Sequence, residues 1–141
     1  MAVEVIDWQP ADLTTVVDTA NAWTDWPTLA TQTITTLSGS VLVDVSVGGT
    51  YYMDGEGIAL RLGISFDGGS TYDYNTTATT GYQVWTQLYG LSATLRQRVS
   101  LRHTATGTLS GDLIVKLQYL TQNASDTDIV LTDVRGYART V

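Results

Sequence analysis

The chain has 141 residues, 43% of them hydrophobic and only 15% charged, with fourteen acids against seven Lys and Arg and a net charge of −7. That length and apolar content suit one domain with its own core, and the absence of cysteine excludes disulfides and thiolate metal sites. No apolar run approaches the roughly 20 residues of a membrane-spanning helix, the few bases argue against a nucleic-acid partner, and Met1-Ala2-Val3-Glu4-Val5 lacks a secretion signal's basic start and apolar stretch.

Residues 1–30 read as an irregular N-terminal arm. Pro10 is placed to open a short helix over residues 11–18, with Leu13, Val16 and Val17 on one side. Three of the four tryptophans, Trp8, Trp23 and Trp26, fall in this segment, as do five acids (Glu4, Asp7, Asp12, Asp18, Asp25) and no base. A large aromatic gains from burial only against a partner surface. Two readings follow: the arm folds over its own domain, or it clamps a neighbour.

Residues 31–141 read as a β-domain. Threonine, valine and tyrosine abound, whereas Glu occurs twice and Lys once, so good helix-surface residues are missing. Two-residue alternation marks strands at 40–47, where Val41, Val43, Val45 and Val47 share a face, and at 57–66, where Ile58, Leu60, Leu62 and Ile64 do. It recurs at 82–89, at 94–102 (Leu95, Val99, Leu101 against Arg96, Arg98, Arg102) and at 112–120 (Leu113, Val115, Leu117 against Lys116 and Gln118). Weaker patterns cover 31–37, 71–75 and 128–139. Gly48-Gly49, Asp54-Gly55, Asp67-Gly68-Gly69, Thr80-Gly81, Gly107 and Ser110-Gly111 read as the breaks between them. About eight strands at this spacing predict an all-β, two-sheet antiparallel sandwich of jelly-roll type. An immunoglobulin-like sandwich is the alternative.

Little points to catalysis, and the expectation is a non-enzyme without cofactor or metal. The sole histidine, His103, falls at the end of an expected strand, and Cys–His chemistry is impossible. The pairs Asp54/Glu56 and Asp126/Asp128 lack the EF-hand pattern and read as solvated turn acids. Asn75-Thr76-Thr77 and Asn123-Ala124-Ser125 match the glycosylation pattern, which an unexported chain would not use.

Ser65-Phe66-Asp67-Gly68-Gly69-Ser70-Thr71-Tyr72 resembles the Asp-box, Ser-x-Asp-x-Gly-x-Thr-Trp, with Tyr72 in place of the Trp. The resemblance implies a tight hairpin in which Ser65, Asp67, Gly69, Thr71 and Tyr72 are structural, and one copy implies no glycosidase. In layout, residues 31–141 are similar to small jelly-roll modules of tailed-bacteriophage virions, themselves like the trimeric tumour-necrosis-factor and C1q heads. The Val-rich strand, Gly-Gly-Thr-Tyr-Tyr, the Asp-Gly-Gly hairpin and the terminal Val134-Arg135-Gly136-Tyr137-Ala138 carry that likeness. It implies a capsid decoration (cement) protein, made in the host cytoplasm and located in the virion. Its partners would be copies of itself, as a trimer, and the major capsid protein or another virion protein. A fibre or tail knob is the alternative within the virion, and a carbohydrate-binding sandwich using Tyr72, Tyr74, Tyr82, Trp85 and Tyr89 the alternative outside it. For the contact with neighbours the expected residues are Trp8, Trp23 and Trp26, with Arg96, Arg98 and Arg102 as the basic complement to the acidic arm.

Overall fold

A computed structural model describes residues 5–9, 22–26, 31–34, 37–53, 58–76, 87–88, 92–121 and 129–140. Among these the protein is all-β, with ten strand segments: β1 (Val5–Trp8), β2 (Thr24–Asp25), β3 (Thr31–Ile34), β4 (Ser40–Met53), β5 (Ile58–Ser65), β6 (Asp73–Tyr74), β7 (Gln87–Leu88), β8 (Ser92–Thr108), β9 (Leu113–Thr121) and β10 (Ile129–Thr140). The helix expected over 11–18 and the acid pairs at 54–56 and 126–128 lie outside the described residues.

Two antiparallel sheets form. One has four strands in the order β1-β10-β4-β8; the other has six, with β2-β9-β5-β6 in line, β3 also pairing β9 and β7 also pairing β5. The pairing is nested. β1 pairs with β10, β2 and β3 with β9, β4 with β8, and β5 with β6 and β7, so each pair encloses the next along the chain.

The two-residue period decides what each strand contributes to the space between the sheets. Val43, Val45 and Val47 of β4 and Leu101 and Ala105 of β8 meet Leu60, Leu62 and Ile64 of β5 and Leu113, Val115, Leu117 and Tyr119 of β9 in one buried cluster. Fully burying a side chain of this kind contributes about 1.5–3 kcal/mol. This single apolar layer makes the fold sandwich-like.

Two expected breaks are not breaks. β4 runs unbroken through Gly48-Gly49 to Met53, because the ladder holds those residues on both sides: Gly48 pairs with Ser100 in β8 and with Arg135 in β10. A glycine ends a strand by turning to positive φ, and among the described residues only Gly39, Gly68 and Gly69 do so. Gly107 likewise lies inside β8, and a Cβ there would stand 2.5 Å from the Phe66 ring. Its role is to admit that ring. β8 therefore extends to Thr108, which places His103 in mid-strand rather than at a strand end.

The described parts of the N-terminal segment are built into the sheets. β1 lies along β10, where Trp8 pairs with Gly136, and β2 lies along β9. Just past β2, the Trp26 N–H donates to the Leu117 carbonyl at 3.1 Å. Its indole is 2% exposed and meets Tyr119 edge-on, with centroids 6.5 Å apart and planes at 87°. Trp26→Ala is expected to cost about 3–5 kcal/mol, measured by denaturant unfolding, as for other large aromatics removed from a packed core.

Candidate functional site

Three surfaces carry the protein's polar chemistry. The first is the hairpin between β5 and β6. Ser65 Oγ donates to Asp67 Oδ1 at 2.7 Å and accepts the Gly69 N–H at 2.9 Å. The Thr71 N–H donates to Asp67 Oδ1 at 2.9 Å, and the Thr71 hydroxyl donates to Oδ2 at 2.7 Å. Gly68 and Gly69 take φ of 69° and 93°, the left-handed region that lets the turn close this tightly. The Gly68 N–H also donates to the Asp112 carbonyl at 3.0 Å, tying the hairpin to the turn before β9. The hydrogen bonds from the Thr71 backbone and hydroxyl, then that from Ser65, hold the Asp67 carboxyl down at about 2.

The second surface is the outward side of the six-stranded sheet, where cations and rings alternate. Arg61 of β5 lies over the rings of Tyr74 (3.5 Å) and Trp23 (4.4 Å), and its Nε donates to Gln118 Oε1 at 2.7 Å. Lys116 of β9 sits 4.0 Å from the centre of the Tyr72 ring and 3.4 Å from Asp25 Oδ1. Tyr72 and Tyr74 stack, with centroids 5.8 Å apart and an angle of 21°. Gly63 leaves the floor for them, since a Cβ there would lie 2.6 Å from the Tyr74 ring. Burial lowers the Arg61 pKa. For Lys116 burial also pulls downward, but the hydrogen bond to Tyr74 and the charge of Asp25 outweigh it and the pKa ends raised. Alternation turns Arg61 and Lys116 outward; Tyr72 and Tyr74, which receive them, come from the hairpin and β6, a pairing that no sequence spacing announces.

The third surface is the outward side of the four-stranded sheet. Asp44 of β4 is 7% exposed although it lies in the outward row. It accepts a bidentate pair from Arg102, Nε to Oδ1 at 2.6 Å and Nη2 to Oδ2 at 2.8 Å, and a third bond from the Thr104 hydroxyl at 3.1 Å. Around it the described row is small or polar: Ser46, Thr50, Ser100, Thr104 and Thr106, with Leu42 as the exposed large apolar side chain at 37%.

Between the hairpin and β8 opens a cleft of about 590 Å³, lined among others by Phe66, Asp67, Tyr72, Asp73, Thr106 and Thr108. His103 crosses from one sheet to the other beside it, with Nε2 3.0 Å from Asp73 Oδ1 and 3.1 Å from the Asp73 carbonyl.

The residues expected at a contact surface are therefore dispersed. Trp26 is in the core, and Trp23 is half-buried against Arg61. Trp8 is described through its backbone pairing with Gly136, and Arg96 through its place in β8. Arg98 is exposed, while Arg102, also exposed, is bound to Asp44 of its own chain. Tyr72 and Tyr74 lie against Lys116 and Arg61; Tyr82, Trp85 and Tyr89 lie outside the described residues. Among the described residues no three His, Asp or Glu side chains gather as a metal site, and no helix is long and apolar enough to cross a membrane. No known family model matches the chain, and no curated protein matches it in sequence.

The hairpin generates a pH test. Because the Asp67 carboxyl is held below its ordinary value of 3.8, its contribution to stability is present above about pH 4 and fades as pH falls toward 2. Asp67→Ala is expected to lower the unfolding midpoint at pH 6, with the gap to wild type closing between about pH 4 and pH 2. A gap unchanged across that range, in urea titrations followed by tryptophan fluorescence, would contradict this account.

Proposed function

We propose that this chain is a non-enzymatic virion structural protein of a tailed bacteriophage: a jelly-roll decoration protein that assembles as a trimer on the outer capsid. The observation that carries the reading is the nested pairing. A jelly roll is a long antiparallel hairpin rolled into two sheets, so that first and last strands become neighbours and every inner pair nests inside an outer one. The order β1-β10-β4-β8 against β2/β3-β9-β5-β6/β7 has that property. The resemblance to phage modules then supplies the trimer and the shell.

Chemistry on the surface supports binding over catalysis. The described carboxylates Asp44 and Asp67 are saturated by their own neighbours, and His103 serves as a link between sheets. What is left for other molecules is area: two sheet faces and an edge cleft. A standard protein interface removes about 1,600 Å² from water, and a lattice of repeated contacts multiplies the effect of each.

Two measurements test the reading. Sedimentation of the pure chain at micromolar concentration is expected to show a trimer, and a stable monomer would count against that number. Expanded shells incubated with the chain are expected to retain it through a density gradient at a fixed stoichiometry; loss of all chain from the shell fraction would remove the capsid as partner.

A further inference from the structure

Five of the seven bases of this acidic chain belong to one sheet. Arg98 and Arg102 are exposed in the outward row of β8, and Arg96 lies earlier in the same strand. In β10, Arg135 and Arg139 pair with Gly48 and Asp44, register positions of the outward row of β4. Three acids belong to the strands of that sheet, Asp7 of β1, Asp44 of β4 and Asp133 of β10. Five arginines against three aspartates give those strands a charge of +2; the rest of the chain then holds eleven acids and two bases, −9, which together make the net −7. Those two other bases, Arg61 and Lys116, are engaged by rings and by Gln118 and Asp25 on the opposite sheet.

Arg98 is exposed, and among the described residues it is in neither ion pair, Arg102–Asp44 or Lys116–Asp25. A complementary surface exists on the same protein. The cleft between the hairpin and β8 is lined by Asp73 and Phe66, by Asp67, whose oxygens are held by Ser65 and Thr71, by Tyr72 and Tyr74, which already carry Lys116 and Arg61, and by no Lys or Arg. Asp73 gives Oδ1 to His103 while its side chain stays 58% exposed. A guanidinium is planar, weakly hydrated and able to lie on a ring while its N–H groups reach a carboxylate, a combination that Phe66 and Asp73 offer here.

We propose that the outward face of the four-stranded sheet, led by Arg98, docks into the acidic hairpin cleft of a second copy of this chain. The inference rests on the assembly reading above and names the surfaces that assembly uses. Face and cleft adjoin at Thr106 but present different residues to a neighbour, so the contact is head-to-tail: every copy offers both, and the series closes into a ring when the rotation between copies allows. A polyanion is the less suitable occupant of the basic face. Asp7, Asp44 and Asp133 belong to the same strands as its arginines, and the −9 carried by the rest of the chain repels a polyphosphate.

Sedimentation equilibrium of the full chain in 0.1 M and 1 M NaCl tests this with wild type, Arg98→Glu, Asp73→Arg and the double exchange. Self-association is expected to weaken about five- to tenfold in each single variant and to return toward wild type in the double exchange, where the two signs are swapped across the contact. Wild type is expected to weaken similarly in 1 M salt, as the screening length falls from about 10 Å to about 3 Å. Asp73→Arg also removes the His103 contact, so Asp73→Asn and a circular-dichroism melt of each variant accompany it; Arg98→Glu breaks no ion pair among the described residues and stands alone if the others unfold. An oligomer unmoved by salt and by Arg98→Glu overturns the docking and leaves the assembly reading intact. A wild-type chain that stays monomeric at about 100 μM in both salts overturns both. Retention on immobilised heparin that Arg98→Glu abolishes, with self-association unchanged, assigns the face to a polyanion and also overturns the proposal.

Discussion

A single dry layer between two sheets is the constraint on which everything else depends. Val43, Val45 and Val47 on one side and Leu60, Leu62, Ile64, Leu113, Val115 and Leu117 on the other leave their neighbours in each strand no choice but the outside. Because the side-chain period is two, a slip of one residue in β4 or β5 would bring Asp44 or Arg61 into the apolar layer, at a cost several times that of a lost contact. Register is thus held by the burial itself. The long β4–β8 ladder, paired from Ser40 with Thr108 down to Thr50 with Arg98, then carries that register along most of β4.

The outward rows follow from the same constraint but solve different problems. On the six-stranded sheet the cations Arg61 and Lys116 are covered by Trp23, Tyr72 and Tyr74, so their charge lies against aromatic faces and toward Asp25. That arrangement seals one side of the protein with groups that satisfy each other. On the four-stranded sheet the row is flat, rich in serine and threonine, and bears exposed arginines around one buried aspartate. Most of the bases of this acidic chain belong to that one sheet, so its charge is unevenly distributed.

Small residues at close approaches link the layers. Gly63 admits Tyr74 and Gly107 admits Phe66, in each case where a Cβ would come within 2.6 Å of the ring. Both rings also line the edge cleft, so the same two glycines that let the hairpin pack against the sandwich shape that cleft. His103 completes that edge by reaching Asp73 across the gap between the sheets.

What the sequence determined by itself was whatever depends on local period and local hydrogen bonding. Alternation of Val, Leu and Ile gave the all-β class and the faces of β4, β5, β8 and β9, and Ser65, Asp67, Gly69 and Thr71 spell out a turn whose bonds span no more than four residues. What only the tertiary structure decided was whatever depends on partners far along the chain. The glycines at 48, 49 and 107 looked like breaks, because a sequence cannot tell a glycine that turns from one held extended between two neighbouring strands. Trp23 and Trp26 looked available to a neighbour, because their partners Arg61 and Tyr119 come from β5 and β9. Part of the basic sheet was hidden for the same reason: Arg96, Arg98 and Arg102 show themselves on one strand, but only antiparallel pairing through β4 brings Arg135 and Arg139 of β10 into the same sheet.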